Sequence, residues 1–247
     1  MHTANVEKPL PNSAPLTLYS TQACPFAQRT RLVLREKGLP YQLIEVDLAQ
    51  KPAKLAEISL YDRVPVLEHE GRHLCESNAI NEYLEEVFPA PALLPDTPHA
   101  RGRARVWMDF ANTSLFDTFK RVHISATAAE RAQAWNELEV ALARLEGEAR
   151  RAMVGPYWFG AQPSLVDFTL YPVFEHWGAL VQHGMPALPA SLTWLHRWLA
   201  ALSQQASVRA TANTPELYGQ RYARSLALPS SSQRQVAAVG ARLDGAR

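Results

Sequence analysis

From Leu16 to Pro89 the spacing of apolar positions alternates between two periods. Leu16 to Ser20 (LTLYS) alternates apolar and polar side chains as a strand does, and Thr21 to Ala23 is a small polar turn. From Cys24 the period lengthens: Phe26, Thr30, Val33 and Leu34 recur at helical spacing, Pro25 suits a first helical turn, and Gly38 marks the stop. Tyr41 to Leu48 (YQLIEVDL) is rich in β-branched and alternating residues and predicts a second strand. A strand, a helix and a strand in that order predict parallel neighbours joined by a right-handed crossover. A short helical piece near Ala53 to Ile58 leads into VPVLEHEGRHLCES, where Val64 to Glu68 and His73 to Cys75 flank Glu70-Gly71 as the arms of a hairpin. From Glu76 the pattern is helical again through Ile80, Tyr83, Leu84 and Val87, ending before Pro89. The predicted order is βαβαββα.

Beyond that point strands give way to helices. Pro89, Pro91, Pro95 and Pro98 form a proline-dense link. Ala100 to Val122 and Ala128 to Met153 read as long amphipathic helices, with Trp107, Phe110 and Leu115 on one and Trp135, Leu138, Leu142 and Leu145 on the other. In PSLVDFTLYPVFEHW, Ser164 stands three residues before Asp167, a capping box that satisfies free backbone N–H groups at a helix start; its role is structural, worth roughly 1 kcal/mol. Leu192 to Leu202 is a further helix. The expected organisation is a flexible extension over 1–15, an α/β domain over 16–90, a linker over 91–98, an all-helical domain over 99–228 and a loosely held tail over 229–247.

Composition narrows the function classes. Of 247 residues 47% are apolar, enough for a real core. Twenty-five basic and 24 acidic residues nearly cancel, so no electrostatic footprint for nucleic acid or an anionic membrane is present. The first 15 residues lack the apolar core of a signal peptide and no apolar run is long enough to cross a bilayer, which predicts a cytoplasmic protein. Two cysteines suit a reducing compartment and are too few for a disulfide scaffold; the eight histidines show no metal-ligand spacing, so no metal is expected. Arg101, Arg103 and Arg105 read as a solvated or intersubunit helix face.

The chemistry centres on Cys24. At the positive end of a helix, backbone N–H groups and the helix dipole favour a thiolate, which makes the sulfur nucleophilic. A small buried residue without chemistry is the alternative at this position.

Taken together, CPFAQRTRLVLREKGLPY, RVPVLEHEG, ESNAINEYLEEVFP and LLPDTP resemble the successive landmarks of the glutathione transferase superfamily, and most closely its cysteine-type members, the omega class and its bacterial relatives. The resemblance covers about residues 16 to 225 and implies a thioredoxin-like domain with a mixed four-stranded sheet followed by an all-α domain. It implies that Val64-Pro65 is cis and lies beside Cys24, and that an extended cysteinyl peptide, glutathione, pairs its backbone with Val64 as an added strand. It also implies that the Ser77 hydroxyl and neighbouring helix amides hold the γ-glutamyl carboxylate while Glu76 accepts its ammonium group. Phe26 and Pro65 complete the set. Pro65 also reads as the cap of an edge strand, and Ser77 as a helix cap; for Ser77 both roles are compatible.

Departures are specific. Many relatives carry Asn-Pro-x-Gly before the Val-Pro, where this chain has Ser59-Leu60-Tyr61-Asp62, an aspartate in place of the turn glycine. The lysine that omega-class members place upstream to meet glutathione is not found at Glu57 or Ile58, leaving Arg63 as a substitute cation or as a solvated surface residue. Cys75 reads as packing and Tyr19 as a strand residue. The implied activity is that of a glutathione-dependent thiol transferase or reductase working through a mixed disulfide at Cys24, in a homodimer, its substrate a glutathionylated protein disulfide, dehydroascorbate or a glutathionyl-ketone or aryl adduct, among which the sequence does not choose. The alternatives are a conjugating transferase activated by Tyr19 or Ser20, and a non-catalytic binding protein of the stringent-starvation type.

Overall fold

The computed structural model describes residues 15–152, 154–182 and 185–227. The expected N-terminal extension, apart from Pro15, and the expected tail lie outside the described residues. The chain divides after Leu93 into two compact units.

The first unit is the mixed four-stranded α/β domain expected. Its elements are β1 (Leu16–Ser20), α1 (Pro25–Glu36), β2 (Tyr41–Glu45), α2 (Ala53–Ile58), β3 (Val66–His69), β4 (Arg72–Cys75) and α3 (Ser77–Val87). The sheet order is β2-β1-β3-β4. β1 runs parallel to β2, with Leu16 opposite Tyr41, and antiparallel to β3, with Tyr19 opposite Val66. Because β1 is central, both of its faces are covered: Leu16, Leu18 and Tyr19 are all buried. α1 packs against α3, and Ala27, Leu32, Leu34, Ile80 and Leu84 from these helices are fully buried. At the hairpin tip Glu70 and Gly71 both take positive φ, +53° and +73°, the pair of left-handed residues a two-residue turn needs. Asp62 also sits at a positive φ, +52°, so the aspartate adopts the backbone the missing glycine would have supplied.

The second unit is all helical: α4 (Pro98–Phe110), α5 (Asp117–Ile124), α6 (Ala128–Ala152), α7 (Leu165–Val181), α8 (Thr193–Ser203), α9 (Ala206–Thr211) and α10 (Pro215–Ala227). α7 lies at its centre, with nearly every side chain buried. The capping box at its start forms as expected. Asp167 accepts from the Ser164 N–H at 2.8 Å and from its hydroxyl at 2.6 Å, and the same carboxylate takes the Trp158 N–H and the Trp198 indole N–H. One expectation is corrected: the predicted helix from Ala100 to Val122 is interrupted by a π-helical stretch, Ala111–Phe116, between α4 and α5. Within it Thr113 turns its hydroxyl back to the Asp109 carbonyl, a local bond that competes with regular helix hydrogen bonding.

Candidate functional site

Cys24 is the N-cap of α1, and Pro25 occupies the first helical position, where a missing N–H costs nothing. The turn that presents it is fastened on three sides. Thr21 donates its hydroxyl to the Val46 carbonyl at 2.6 Å, the Gln22 N–H reaches Glu45 at 2.6 Å, and the Cys24 N–H closes on the Thr21 carbonyl at 2.9 Å. Arg31, two turns along α1 and nearly buried, donates to the Ser20 hydroxyl at 2.6 Å, to the Thr21 carbonyl at 3.2 Å and to the Gln22 carbonyl at 2.7 Å. The cysteine is thus held at the end of a helix by a loop with little freedom.

The Val64-Pro65 peptide bond is cis, and the Val64 carbonyl faces the Cys24 Sγ at 4.0 Å. Both residues belong to one buried cluster with Tyr19 and Val66, against which Phe26 and Cys75 pack. On the same helix Arg29 is wholly buried; burial pushes its guanidinium down to about 9, with the neighbouring Cys24 acting against that shift, so it stays cationic at neutral pH. Its guanidinium also lies 4.7 Å from the centre of the Phe26 ring. Both cysteines are free thiols.

Glu76 and Ser77 follow directly on β4, whose Cys75 pairs with Val66, so the two residues continue the edge on which Val64 and Pro65 stand. Glu76, not Ser77, is the N-cap of α3. It holds a φ of +71°, a conformation that side chains rarely adopt and that persists where surroundings enforce it. Ser77 is buried at the first helical position, and its hydroxyl makes no hydrogen bond among the described residues. The helix-cap reading of Ser77 is therefore not the one the backbone adopts, and the hydroxyl is left for another partner.

Arg63 is exposed and lies over the Tyr61 ring at 5.9 Å, while its backbone is pinned by the Ser59 hydroxyl in both directions. Lys51, which sequence reasoning did not single out, brings an ammonium to this same loop, donating to the Asp62 carbonyl at 2.9 Å. The only signal for it was a lysine just before Pro52, whose long side chain reaches eleven residues ahead. Tyr19 and Ser20 hydroxyls are both engaged, the first donating to Glu68 at 3.0 Å and the second accepting from Arg31. Among the described residues no group of three or more His, Cys, Asp or Glu is placed to hold a metal, and no helix is long and apolar enough to cross a membrane.

Two family models match the chain: the glutathione S-transferase N-terminal domain over residues 18–92 and the C-terminal domain over residues 128–201. The chain is 30% identical over 195 residues to glutathione S-transferase omega-1 of Mus musculus, an alignment covering 76% of this chain and 77% of the mouse protein. Glutathione transferase Omega 3C of Trametes versicolor superposes with a TM-score of 0.76 at 32% identity, over 85% of this chain and 90% of that one. The dehydroascorbate reductase of Chlamydomonas reinhardtii superposes with a TM-score of 0.73 at 28% identity, over 87% of this chain and all of that one.

Proposed function

The chain belongs to the glutathione S-transferase family, and from that premise we propose that it is an omega-like thiol transferase whose nucleophile is Cys24. The observation that carries the reading is the placement of Cys24 at the start of α1 with its sulfur against the Val64 carbonyl. A hydroxyl-activated conjugating enzyme needs an accessible Tyr19 or Ser20 O–H to give to glutathione; Tyr19 spends its own on Glu68, and Ser20, which accepts from Arg31, is fully buried.

Glutathione fits the residues present. The uncommitted Ser77 hydroxyl and the strained Glu76 backbone sit where the γ-glutamyl end would bind, with Glu76 taking the ammonium group. Val64 offers its main chain for strand-like pairing, beside Pro65 and Phe26. Lys51 and Arg63 supply cations for a carboxylate.

In the first step the Cys24 thiolate attacks the glutathione sulfur of a glutathionylated disulfide. The S–S bond breaks, the substrate leaves as a thiolate that takes a proton from solvent, and glutathione remains on Cys24 as a mixed disulfide. A second glutathione thiolate then attacks that disulfide, releasing the Cys24 thiolate and glutathione disulfide. The net reaction is a disulfide exchange: one glutathione thiol is consumed, its sulfur joins that of the glutathione already on the substrate as glutathione disulfide, and the substrate sulfur is returned as a thiol, with no second protein cysteine required. We also propose that the protein works in the cytoplasm as a homodimer, in keeping with its family.

Intact-mass and peptide mass spectrometry after incubation with glutathione disulfide tests the assignment. One glutathione adduct is expected, on Cys24. Adduct formation on Cys75 first, or on neither cysteine, contradicts it.

A further inference from the structure

Two features at the start of α1 work against a charged sulfur. Cys24 is only 6% exposed, and burial disfavours the ionised form of a thiol. Pro25, at the first helical position, brings no N–H, so this helix end has one amide donor fewer than most to turn toward an anion. A nucleophile that must ionise here needs positive charge from elsewhere.

The charged groups of the first unit differ in what they can offer. Arg31 spends its guanidinium on the Ser20 hydroxyl and the Thr21 and Gln22 carbonyls. Lys37 pairs with Glu85 beyond the far end of α1. Lys51 and Arg63 are exposed, and the exposed Lys54 of α2 lies over the Tyr19 ring, 4.0 Å from Glu68, which also takes the Tyr19 hydroxyl. On β2 the carboxylate of Glu45 takes the Gln22 N–H.

Arg29 is different. It is wholly buried, about one and a half turns into α1. Helical side chains lean toward the N-terminus, and this guanidinium lies 4.7 Å from the centre of the Phe26 ring, almost one turn back. Phe26 packs against the buried cluster that contains Cys24, so the guanidinium is brought toward the helix end at which the sulfur sits. Burial works to strip Arg29 of its charge, and Cys24 acts against that. Such coupling is reciprocal: as far as a thiolate keeps the guanidinium charged, the guanidinium keeps the thiolate charged. A cation removed from water is costly for a fold to retain, and support of the nucleophile accounts for its place here.

We propose that Arg29 is the buried counter-cation of the Cys24 thiolate, a positioning residue that holds the nucleophile in its charged form from inside α1. The inference rests on the reading of Cys24 as the nucleophile.

The test is alkylation of the full chain by iodoacetamide across pH, followed by peptide mass spectrometry so that Cys24 and Cys75 are read separately, in wild type and in Arg29→Met. The substitution should move the pH midpoint for Cys24 up by about one unit or more, with a plateau rate at high pH no lower than that of wild type. The midpoint for Cys75 should not move. A structural role alone would lower the plateau and leave the Cys24 midpoint in place. The same pairing can be read with Arg29 intact, from denaturant unfolding of wild type and Cys24→Ser. The advantage of wild type should grow as pH rises from about 6 to about 8, because a thiolate stabilised in the folded state adds stability that is lost again as pH falls. The proposal is overturned if the Cys24 midpoint stays put in Arg29→Met, if the Cys75 midpoint moves as far, or if the difference between wild type and Cys24→Ser is flat with pH. A wild-type Cys24 that takes up one glutathione from glutathione disulfide, yet keeps its midpoint in Arg29→Met, overturns this inference alone; a Cys24 that takes up none overturns both readings.

Discussion

Ser77 is buried at the first position of α3 with its hydroxyl uncommitted, next to a glutamate whose backbone is held at a φ of +71°. A hydroxyl in that setting serves a ligand or serves nothing, and the two cases separate cleanly. In a Cys24→Ala background, which removes covalent capture, Ser77→Ala should cost a charge-assisted contact of roughly 1.5–3 kcal/mol, weakening glutathione on the order of tenfold or more by calorimetry. Unchanged affinity would remove Ser77 from the site. At this scale the sequence was informative where chemistry resides in a short motif: Cys24 before Pro25 and Val64 before Pro65 could be singled out without coordinates. Lys51 and Arg31 could not. Their contributions depend on where a long side chain ends, at the Asp62 carbonyl and at the Ser20 to Gln22 turn, and that is set by how distant segments pack.

Among elements, the ends of helices carry much of the polar organisation. Glu146 on α6 is buried and accepts the backbone N–H groups of Trp194 and Leu195, at 2.9 and 3.0 Å, so a side chain from one helix caps the first turn of α8. Burial alone would raise its pKa, but those two donors and the Arg150 guanidinium outweigh it and hold the carboxylate below its usual range. A carboxylate whose folded pKa is depressed contributes stability that is whole above the unfolded value, about 4.3, and fades as pH falls through the folded one. Glu146→Gln should therefore lower the unfolding free energy by about 1–3 kcal/mol at pH 7, and by less at a pH well below 4. Denaturant unfolding at the two pH values checks this; an equal penalty at both would show that the charge contributes nothing. The buried Lys37 plays a comparable part in the first unit, pairing with Glu85 at 2.7 Å and donating to the Phe88 and Pro91 carbonyls at 2.8 Å each. Element type was legible where one period ran unbroken, as in β1, α2 and α6. It was lost where the period shifts, as at the π-helical stretch Ala111–Phe116, whose extra residue leaves no mark in an apolar pattern. α9 is only six residues long, and α10 carries Gly219 mid-helix, so neither presents a sustained face to read despite the Thr214-Pro215-Glu216 start signal of the second.

For the whole molecule, order mattered more than any one motif. A Cys-Pro helix start, a Val-Pro before a hairpin and an Glu-Ser helix start are each common, but their succession over the first unit, followed by helices alone, leaves few folds to consider. Family membership follows from that succession, whereas the choice of reaction does not: transferase folds host thiol exchange and conjugation alike, and the choice rests on which atom meets the sulfur of glutathione. The substitution Cys24→Ser addresses that choice most directly, assayed on one preparation for reduction of a glutathionylated disulfide and for conjugation of an aryl halide. A serine hydroxyl cannot form the mixed disulfide, yet it can donate a hydrogen bond to the thiolate of bound glutathione. The account predicts that wild type reduces the disulfide and conjugates poorly, and that Cys24→Ser loses reduction while keeping or gaining conjugation. Full retention of disulfide reduction by Cys24→Ser would contradict it.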